Sequence, residues 1–220
     1  MAADFDPGTG LGPRLREVRV SRELSVRELA RRVGCSASLI SQIERGVSVP
    51  SVGVLYSLAT ELGSSLDYLL FGSAARAEAG AGERPGAGTG AVPAAAPRPR
   101  EISPQLIVQR GDGRKIIDLA SGVRWERLTP QSEAMTDFLE VVYSPGGHST
   151  DERRPLRHDG REYGLVISGT LTANVGFESY ELGPGDSIAF DSATPHEYLN
   201  KTGDYVHAIW VVVHSEPGRA

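Results

Sequence analysis

The sequence has few of the features that mark secreted or membrane proteins. It contains one cysteine, Cys35, which excludes an internal disulfide and a zinc site built from cysteines. It has no apolar run near the roughly 18 residues that a membrane-spanning helix needs. Its first residues, which include Asp4 and Asp6, lack the basic and apolar regions of a signal peptide. We therefore expect a cytoplasmic protein with no membrane partner.

Residues 73–100 contain almost no large apolar side chain. Apart from Val92, this stretch consists mainly of ten Ala, five Gly and four Pro, a composition that cannot bury enough surface to offset its ordering entropy. The 220-residue chain is 40% apolar, which is enough for two small cores. We predict a disordered tail at residues 1–10, a helical domain at 11–72, a flexible linker at 73–100 and a second domain at 101–215.

The net charge of -5 gives no sign of a nucleic-acid partner, but the charge is distributed unevenly. Residues 11–46 carry eight Arg against four Glu, whereas residues 101–220 carry 11 Lys and Arg against 18 Asp and Glu. A basic segment next to an acidic domain is typical of a DNA-binding module joined to a domain that does not contact DNA.

Helix signals divide residues 11–72 into five helices. The first is predicted from Leu11 to Arg22, with four arginines available to phosphates: Arg14, Arg16, Arg19 and Arg22. Ser25 and Glu28 form a capping box, in which the hydroxyl and the carboxylate each satisfy a free N–H, so a second helix begins there. Ser36 and Gly46 bound a third helix, and two more begin near Ser51 and Ser64.

The third helix has two different sides. Leu39, Ile40 and Ile43 fall on one apolar stripe, while the opposite side is small and polar. Short side chains permit close approach to a DNA major groove, and Gln42 can pair with the N6 and N7 of adenine. We therefore interpret this helix as a recognition helix.

Two segments resemble the Xre/Cro-repressor type of helix-turn-helix: Ser-Val-Arg-Glu-Leu-Ala-Arg-Arg-Val-Gly at residues 25–34 and Ser-Ala-Ser-Leu-Ile-Ser-Gln-Ile-Glu-Arg-Gly at 36–46. The resemblance implies a five-helix, lambda-repressor-like domain whose third helix enters the major groove. It assigns DNA contacts to Ser25, Val26, Arg27, Ser36, Ala37, Ser38, Ser41, Gln42 and Arg45. The alternative is a domain that keeps the fold without binding DNA, because Ala37 offers no hydrogen bond.

From Gln105 onward the apolar residues alternate with polar ones, and Gly and Pro separate the runs. Strands are predicted at residues 105–109, 115–119, 123–128, 138–144, 164–175, 187–190, 196–199 and 205–213. Many short strands without a long helix between them indicate a β-sandwich or a small barrel.

All five histidines lie in this second domain. His158 and Glu162 are spaced so that an imidazole and a carboxylate can meet at one point, and His196 is a candidate third ligand from another strand. Two histidines and one carboxylate form a facial set that suits a divalent metal. The alternative is a polar ligand pocket, or a remnant of the fold, without metal.

The same residues resemble the motifs of the cupins. His158, Glu162 and Gly169 match the second half of the first cupin motif, and Gly185, His196 and Asn200 match the second motif. The resemblance implies a cupin β-barrel, a double-stranded β-helix or jelly roll. Three positions depart from the motifs: Leu156 replaces the first histidine, Asp191 the proline and Ala193 the glycine. Because Leu156 cannot coordinate a metal, three of the usual four ligands remain.

Aromatic and histidine side chains are candidates for the lining of a ligand pocket. We assign Tyr163, Tyr198 and His207 to it, with a solvent-facing or packed position as the alternative for His207. His148 and His214 are expected to be solvated.

These features together predict a ligand-responsive transcriptional regulator and not an enzyme. The helical domain binds operator DNA as half of a homodimer, and the cupin domain dimerises and senses a small molecule or a metal. One alternative is a non-haem iron enzyme of the epoxidase or oxygenase kind, in which the helical domain covers the active site. Another is a purely structural dimer module without a ligand.

Overall fold

The computed structural model describes residues 10–64, 66–72, 107–133, 135–150 and 155–214. The predicted linker and all of the predicted tail except Gly10 lie outside these ranges. Within them, no helix is both long enough and apolar enough to cross a membrane.

The amino-terminal domain consists of the five predicted helices. They are α1 (Leu11–Ser21), α2 (Val26–Val33), α3 (Ala37–Glu44), α4 (Val52–Leu62) and α5 (Leu66–Phe71). Each of α2, α3 and α4 follows a serine whose hydroxyl accepts a backbone N–H of the first turn: Ser25, Ser36 and Ser51. Gly34 and Gly63 end α2 and α4 with left-handed φ angles of 79° and 55°. Local capping therefore sets most helix boundaries.

The third helix ends at Glu44 with Arg45 as its C-cap, and Gly46 takes the predicted left-handed conformation just beyond it, with a φ of 69°. One helical detail differs from the prediction. The capping box is only half formed: Ser25 accepts the N–H of Glu28, but the Glu28 carboxylate binds Arg31 and Arg32 on the helix surface. The ion pairs one turn along α2 hold this carboxylate away from the start of the helix.

The second domain is an antiparallel β structure of two sheets, as the cupin resemblance implies. Its strands are β1 (Ile116–Leu119), β2 (Val123–Arg127), β3 (Thr136–Tyr143), β4 (Arg161–Ser168), β5 (Leu171–Val175), β6 (Glu178–Leu182), β7 (Ser187–Asp191), β8 (His196–Leu199) and β9 (Val206–Val213). The larger sheet has the order β1-β2-β3-β9-β4-β7 and the smaller one β6-β5-β8. Alternate residues of β3 and β9 are buried, so the core lies between the sheets.

Three strand predictions need correction. Residues 107–109 form no strand, and the rest of the 105–109 run lies outside the described ranges. The run 164–175 is two strands, because the chain turns at Gly169 with a φ of 80° and passes close to the Tyr205 carbonyl. Strand β6 was not predicted, since four of its five residues are exposed and show no alternation.

The helical domain packs against the barrel through α4, the residues just before it and the end of α5. The backbone N–H of Ala120 donates to the Pro50 carbonyl at 3.3 Å. Gly53 lies close to Leu156 and Ser149 of the barrel. The Arg127 guanidinium lies over the Phe71 ring, 5.2 Å from its centre. One helix of the helical domain thus lies directly beside the predicted ligand site.

Candidate functional site

The α3 helix presents the polar side that the sequence predicts. Its apolar stripe is buried at Ile40 and Ile43. The nine predicted DNA-contacting residues lie on the opposite side of α3 and at the start of α2. Five of them are exposed: Ser25, Arg27, Ser36, Ser38 and Arg45. The other four are half-buried: Val26, Ala37, Ser41 and Gln42. No residue of this set is fully buried. The side chains of Arg27 and Arg45 form no hydrogen bond or ion pair with the described residues.

An internal ion pair fixes the end of α3 to α1. Arg19 binds Glu44 through two hydrogen bonds, and the two side chains are only 11% and 8% exposed. This interaction raises the pKa of Arg19 above its ordinary value. Gly12 completes the contact, because a Cβ there would lie 2.6 Å from the backbone oxygens of Ile43 and Glu44. The end of α3 is therefore fixed against α1.

Three of the four α1 arginines are not available to phosphates, contrary to our expectation. Arg19 is bound to Glu44, and Arg14 and Arg22 donate to backbone carbonyls at the ends of α5 and α4. The last carbonyls of a helix lack intrahelical partners, so a guanidinium there supplies both hydrogen bonds and a favourable charge. Arg16 and Arg22 are both exposed, but only Arg16 of the four forms no hydrogen bond or ion pair with the described residues.

In the barrel, the three predicted metal-binding residues come together across the two sheets. His158 lies in the segment before β4, Glu162 on β4 and His196 at the start of β8. The Nε2 atoms of His158 and His196 lie 2.8 and 3.0 Å from the same oxygen, Glu162 Oε1. All three side chains are almost completely buried, and their ligand atoms lie within 4.8 Å of one another.

The hydrogen bonds of the two imidazoles indicate which ring nitrogen carries the proton. Nδ1 of His158 lies 3.2 Å from the Asp159 carbonyl, and Nδ1 of His196 lies 2.8 Å from the Thr194 carbonyl. A carbonyl oxygen only accepts, so each Nδ1 carries the ring proton, and in the neutral ring Nε2 is an acceptor. Two lone pairs and a carboxylate oxygen then converge without a proton between them, which is why all three atoms lack a hydrogen-bond partner within the described chain.

The other carboxylate oxygen of Glu162 is fully bound. Oε2 accepts the Tyr198 hydroxyl and the Trp210 indole N–H, both at 2.7 Å. These two hydrogen bonds favour the ionised form of the buried carboxylate over the protonated one. Burial and the Glu162 carboxylate raise the pKa of Tyr198, so its phenol remains a donor. Glu162 is thus ionised and fixed in orientation.

This donor set fits a divalent metal ion. An ion about 2.1 Å from each ligand, with the ligands at right angles, needs ligand atoms about 3 Å apart, as found here around Glu162 Oε1. The histidine Nδ1–H bonds and the two donors on Oε2 are the outer interactions that orient metal ligands. Leu156 pairs with His196 through two backbone hydrogen bonds, so an aliphatic side chain occupies the place of the fourth ligand. His158, Glu162 and His196 would hold the ion from one side.

A small chamber adjoins the triad. Its walls are mainly aromatic and aliphatic: Val52, Tyr56, Trp125, Leu139, Val141, Tyr143, Ser149, Leu156, Tyr198 and Trp210. Its volume of about 20 Å³ is enough for one water molecule. We call it the triad chamber. Val52 and Tyr56 come from α4, and no sequence pattern pointed to them, because their apolar side chains read as ordinary helix core.

The three predicted pocket residues have different positions. Tyr198 lines the triad chamber. Tyr163 is on the outward side of β4, where it is 44% exposed, and His207 is on the outward side of β9 beside Glu140. Neither lines the chamber, because side chains alternate along a strand and both follow an inward-facing neighbour, Glu162 and Val206.

Comparisons with known proteins agree with this two-domain arrangement. The family model described as Helix-turn-helix matches residues 15–69, and the one described as Cupin domain matches residues 139–212. The HTH-type transcriptional regulator PuuR of Escherichia coli (strain K12) is 27% identical over 197 residues, which cover 89% of this chain and 90% of that protein.

One solved structure shows the same two-domain fold over almost the whole chain. The HTH_3 family transcriptional regulator from Vibrio cholerae superposes with a TM-score of 0.63 at 20% identity, covering 96% of this chain and 98% of that one. Hydroxypropylphosphonic acid epoxidase from S. wedmorenis gives a TM-score of 0.42 at 18% identity, with 94% and 98% covered. The relative is a transcriptional regulator, and together with the helix-turn-helix match it supports a DNA-binding regulator and leaves the iron enzyme less supported. The two matches and the relative together support an Xre-type helix-turn-helix regulator that carries a cupin domain.

Proposed function

We propose that the protein binds operator DNA sequence-specifically by inserting α3 into the major groove. The observation that carries this proposal is the polar side of α3, which is accessible while its apolar side and its end are fixed to α1. In this arrangement Gln42 reads a base, while Arg27 and Arg45 contact phosphates. DNA as the partner implies a cytoplasmic location.

The proposal includes a homodimer formed through the larger sheet. Apolar side chains cover the outward side of β3, β9 and β4, in an area we call the outer sheet face: Phe138, Val142, Tyr163, Leu165, Ile167, Ile209, Val211 and Val213. Val211 lies between Phe138 and Tyr163 in the strand register, so the area is continuous. An exposed apolar area of this kind is typical of an interface between subunits. One helix-turn-helix reads only a half-site, and a two-fold dimer supplies the second.

We further propose that the cupin domain senses a small ligand at a divalent metal held by His158, Glu162 and His196. The convergence of three acceptor atoms in a buried site supports a cation there. When bound, the metal would act as a Lewis acid toward a ligand atom.

Two substitutions in the helical domain test the DNA-binding proposal. We expect Gln42→Ala to lower discrimination by roughly 1–3 kcal/mol at a single base position, because one side-chain contact to a base is lost. We expect Arg27→Ala to weaken binding to all sequences and to reduce the salt slope by about one, because one phosphate contact is lost. The measurement is equilibrium binding to promoter fragments over a range of salt concentrations.

The matched control is Arg124→Ala, which removes an exposed arginine of the barrel that is paired with Asp118. Its affinity for DNA should equal that of the wild type. If Gln42→Ala and Arg27→Ala also bind as the wild type does, the proposed orientation of α3 on DNA is wrong.

The metal proposal has a separate test. Metal analysis of the purified chain, after loading with Co²⁺ and gel filtration, should find about one ion per chain. His158→Ala should remove it, whereas His207→Ala, which lies outside the chamber, should retain it. Equal metal content in both variants would contradict the assigned ligands.

A further inference from the structure

Tyr56 links the helical domain to the triad chamber. Its ring stacks on the His158 imidazole, with the ring centres 4.4 Å apart and an interplanar angle of 9°. It also makes an edge contact with Trp125, with the ring centres 6.0 Å apart. The residue is only 8% exposed. A side chain of the DNA-binding unit is therefore in direct contact with a proposed metal ligand.

The helix that carries Tyr56 cannot move alone. Leu55, Leu58 and Leu62 on the other side of α4 are completely or almost completely buried in the core of the helical domain. Toward the barrel, Val52 joins Tyr56 in the chamber wall. Displacement of Tyr56 by a rigid α4 would therefore shift the whole helical domain relative to the barrel.

The charge and size of the triad chamber limit its occupant. A divalent ion bound by the single carboxylate of Glu162 retains one positive charge, which favours a monoanionic ligand with an oxygen donor. The chamber volume of about 20 Å³ holds a water molecule but no organic ion while Tyr56 is in place. An organic ligand beside the triad therefore needs part of the chamber wall to move, and Val52 and Tyr56 are the part of that wall that the helical domain supplies.

We propose that Tyr56 is the size-limiting residue of the metal site, so that a small organic oxygen-donor anion binds only when α4 leaves the barrel. This inference rests on the metal site of the proposed function. It also supplies the connection between ligand and DNA-binding domain, because a ligand that binds the undocked form better shifts the equilibrium toward that form.

The test uses the full chain loaded with Co²⁺ and acetohydroxamate as the probe anion. Binding is followed by the visible absorption of Co²⁺, and docking by hydrogen exchange of the Ala120 amide, which is bonded to Pro50. In the wild type, saturating acetohydroxamate should accelerate exchange at Ala120 but not at Ile117 in β1. In Tyr56→Ala, half-saturation should occur at a concentration at least about tenfold lower, because no displacement of the ring is needed.

Two control variants and one further outcome make the test decisive. Thr60→Ala, on the exposed side of α4, should behave as the wild type, and Tyr56→Leu replaces Tyr56→Ala if the latter does not fold. Equal acetohydroxamate affinity in the wild type and the Tyr56 variant, or unchanged protection of Ala120 at saturation, would overturn the inference. Absence of Co²⁺ bands in every protein would overturn it together with the metal site, while the DNA-binding proposal is tested independently.

Discussion

Glu162 connects the two kinds of interaction in the triad chamber. One of its oxygens faces two imidazoles, and the other accepts hydrogen bonds from Tyr198 and Trp210. The cupin motifs supplied His158, Glu162 and His196 as candidates. They could not supply Trp210, because an aromatic residue on a strand reads as core until its N–H is seen to reach a buried carboxylate.

Gly164 makes this geometry possible. It lies opposite Trp210 in the register of β4 and β9, and a Cβ at this position would be 2.3 Å from the indole ring. We expect Gly164→Ala to displace Trp210 from Glu162 and to lower the free energy of unfolding by about 1–3 kcal/mol. Denaturant unfolding and the tryptophan emission spectrum measure the two effects.

The control is Gly183→Ala, in a turn where the nearest atom to an added Cβ is 3.7 Å away. It should lower the free energy of unfolding much less than Gly164→Ala does. Equal stability of the Gly164→Ala protein and the wild type, with an unchanged emission spectrum, would contradict the role we give to this glycine.

At the scale of elements, the helices were the best predicted part of the fold. Serine caps and left-handed glycines are local signals. The serines located the starts of α2, α3 and α4, and the glycines located the ends of α2 and α4. The roles of the α1 arginines are not local. Arg14 and Arg22 bind the ends of helices that lie 55 and 40 residues away in sequence, and no periodicity can indicate such contacts. Strand β6 escaped prediction for a related reason, since it is exposed and is defined by its pairing with β5.

The Arg19–Glu44 pair tests the assignment of α1 as a structural support for α3. We expect Arg19→Ala to lower the free energy of unfolding by about 3 kcal/mol, because it leaves Glu44 buried without a partner. Arg16→Ala, which removes an exposed arginine of the same helix, should change stability by no more than about 0.5 kcal/mol. Chemical denaturation of both variants measures the two changes in the free energy of unfolding. Equally small changes in both would mean that Arg19 does not support α3 as we describe.

At the scale of the molecule, the two-domain organisation followed from composition and charge, but the contact between the domains did not. Composition separates a basic helical segment from an acidic β-rich one. The contact depends on Pro50, Tyr56 and Phe71. Apolar and aromatic residues of this kind are equally consistent with the core of a single domain. The sequence therefore predicted the three residues of the triad but not the part of the helical domain that packs beside them.

The dimer proposal leads to a prediction at the same scale. Leu165→Glu places a charge in the middle of the outer sheet face, and we expect it to convert a dimer into a monomer because the charge would be buried unpaired at the interface. Light scattering after gel filtration measures the mass. Phe177→Glu, at an exposed turn outside this face, is the control and should remain dimeric. A monomeric wild type, or a dimeric Leu165→Glu protein, would show that this face is not the interface.

The central claim is that α3 reads DNA on behalf of a two-fold dimer, and genome-wide recovery of DNA fragments bound by the purified protein tests it most directly. We predict enrichment of one sequence with two symmetric halves whose centres are about one helical turn apart. The Gln42→Ala protein should recover DNA fragments that share a less strictly defined sequence. Failure of the wild-type protein to enrich any sequence over random fragments would contradict the claim.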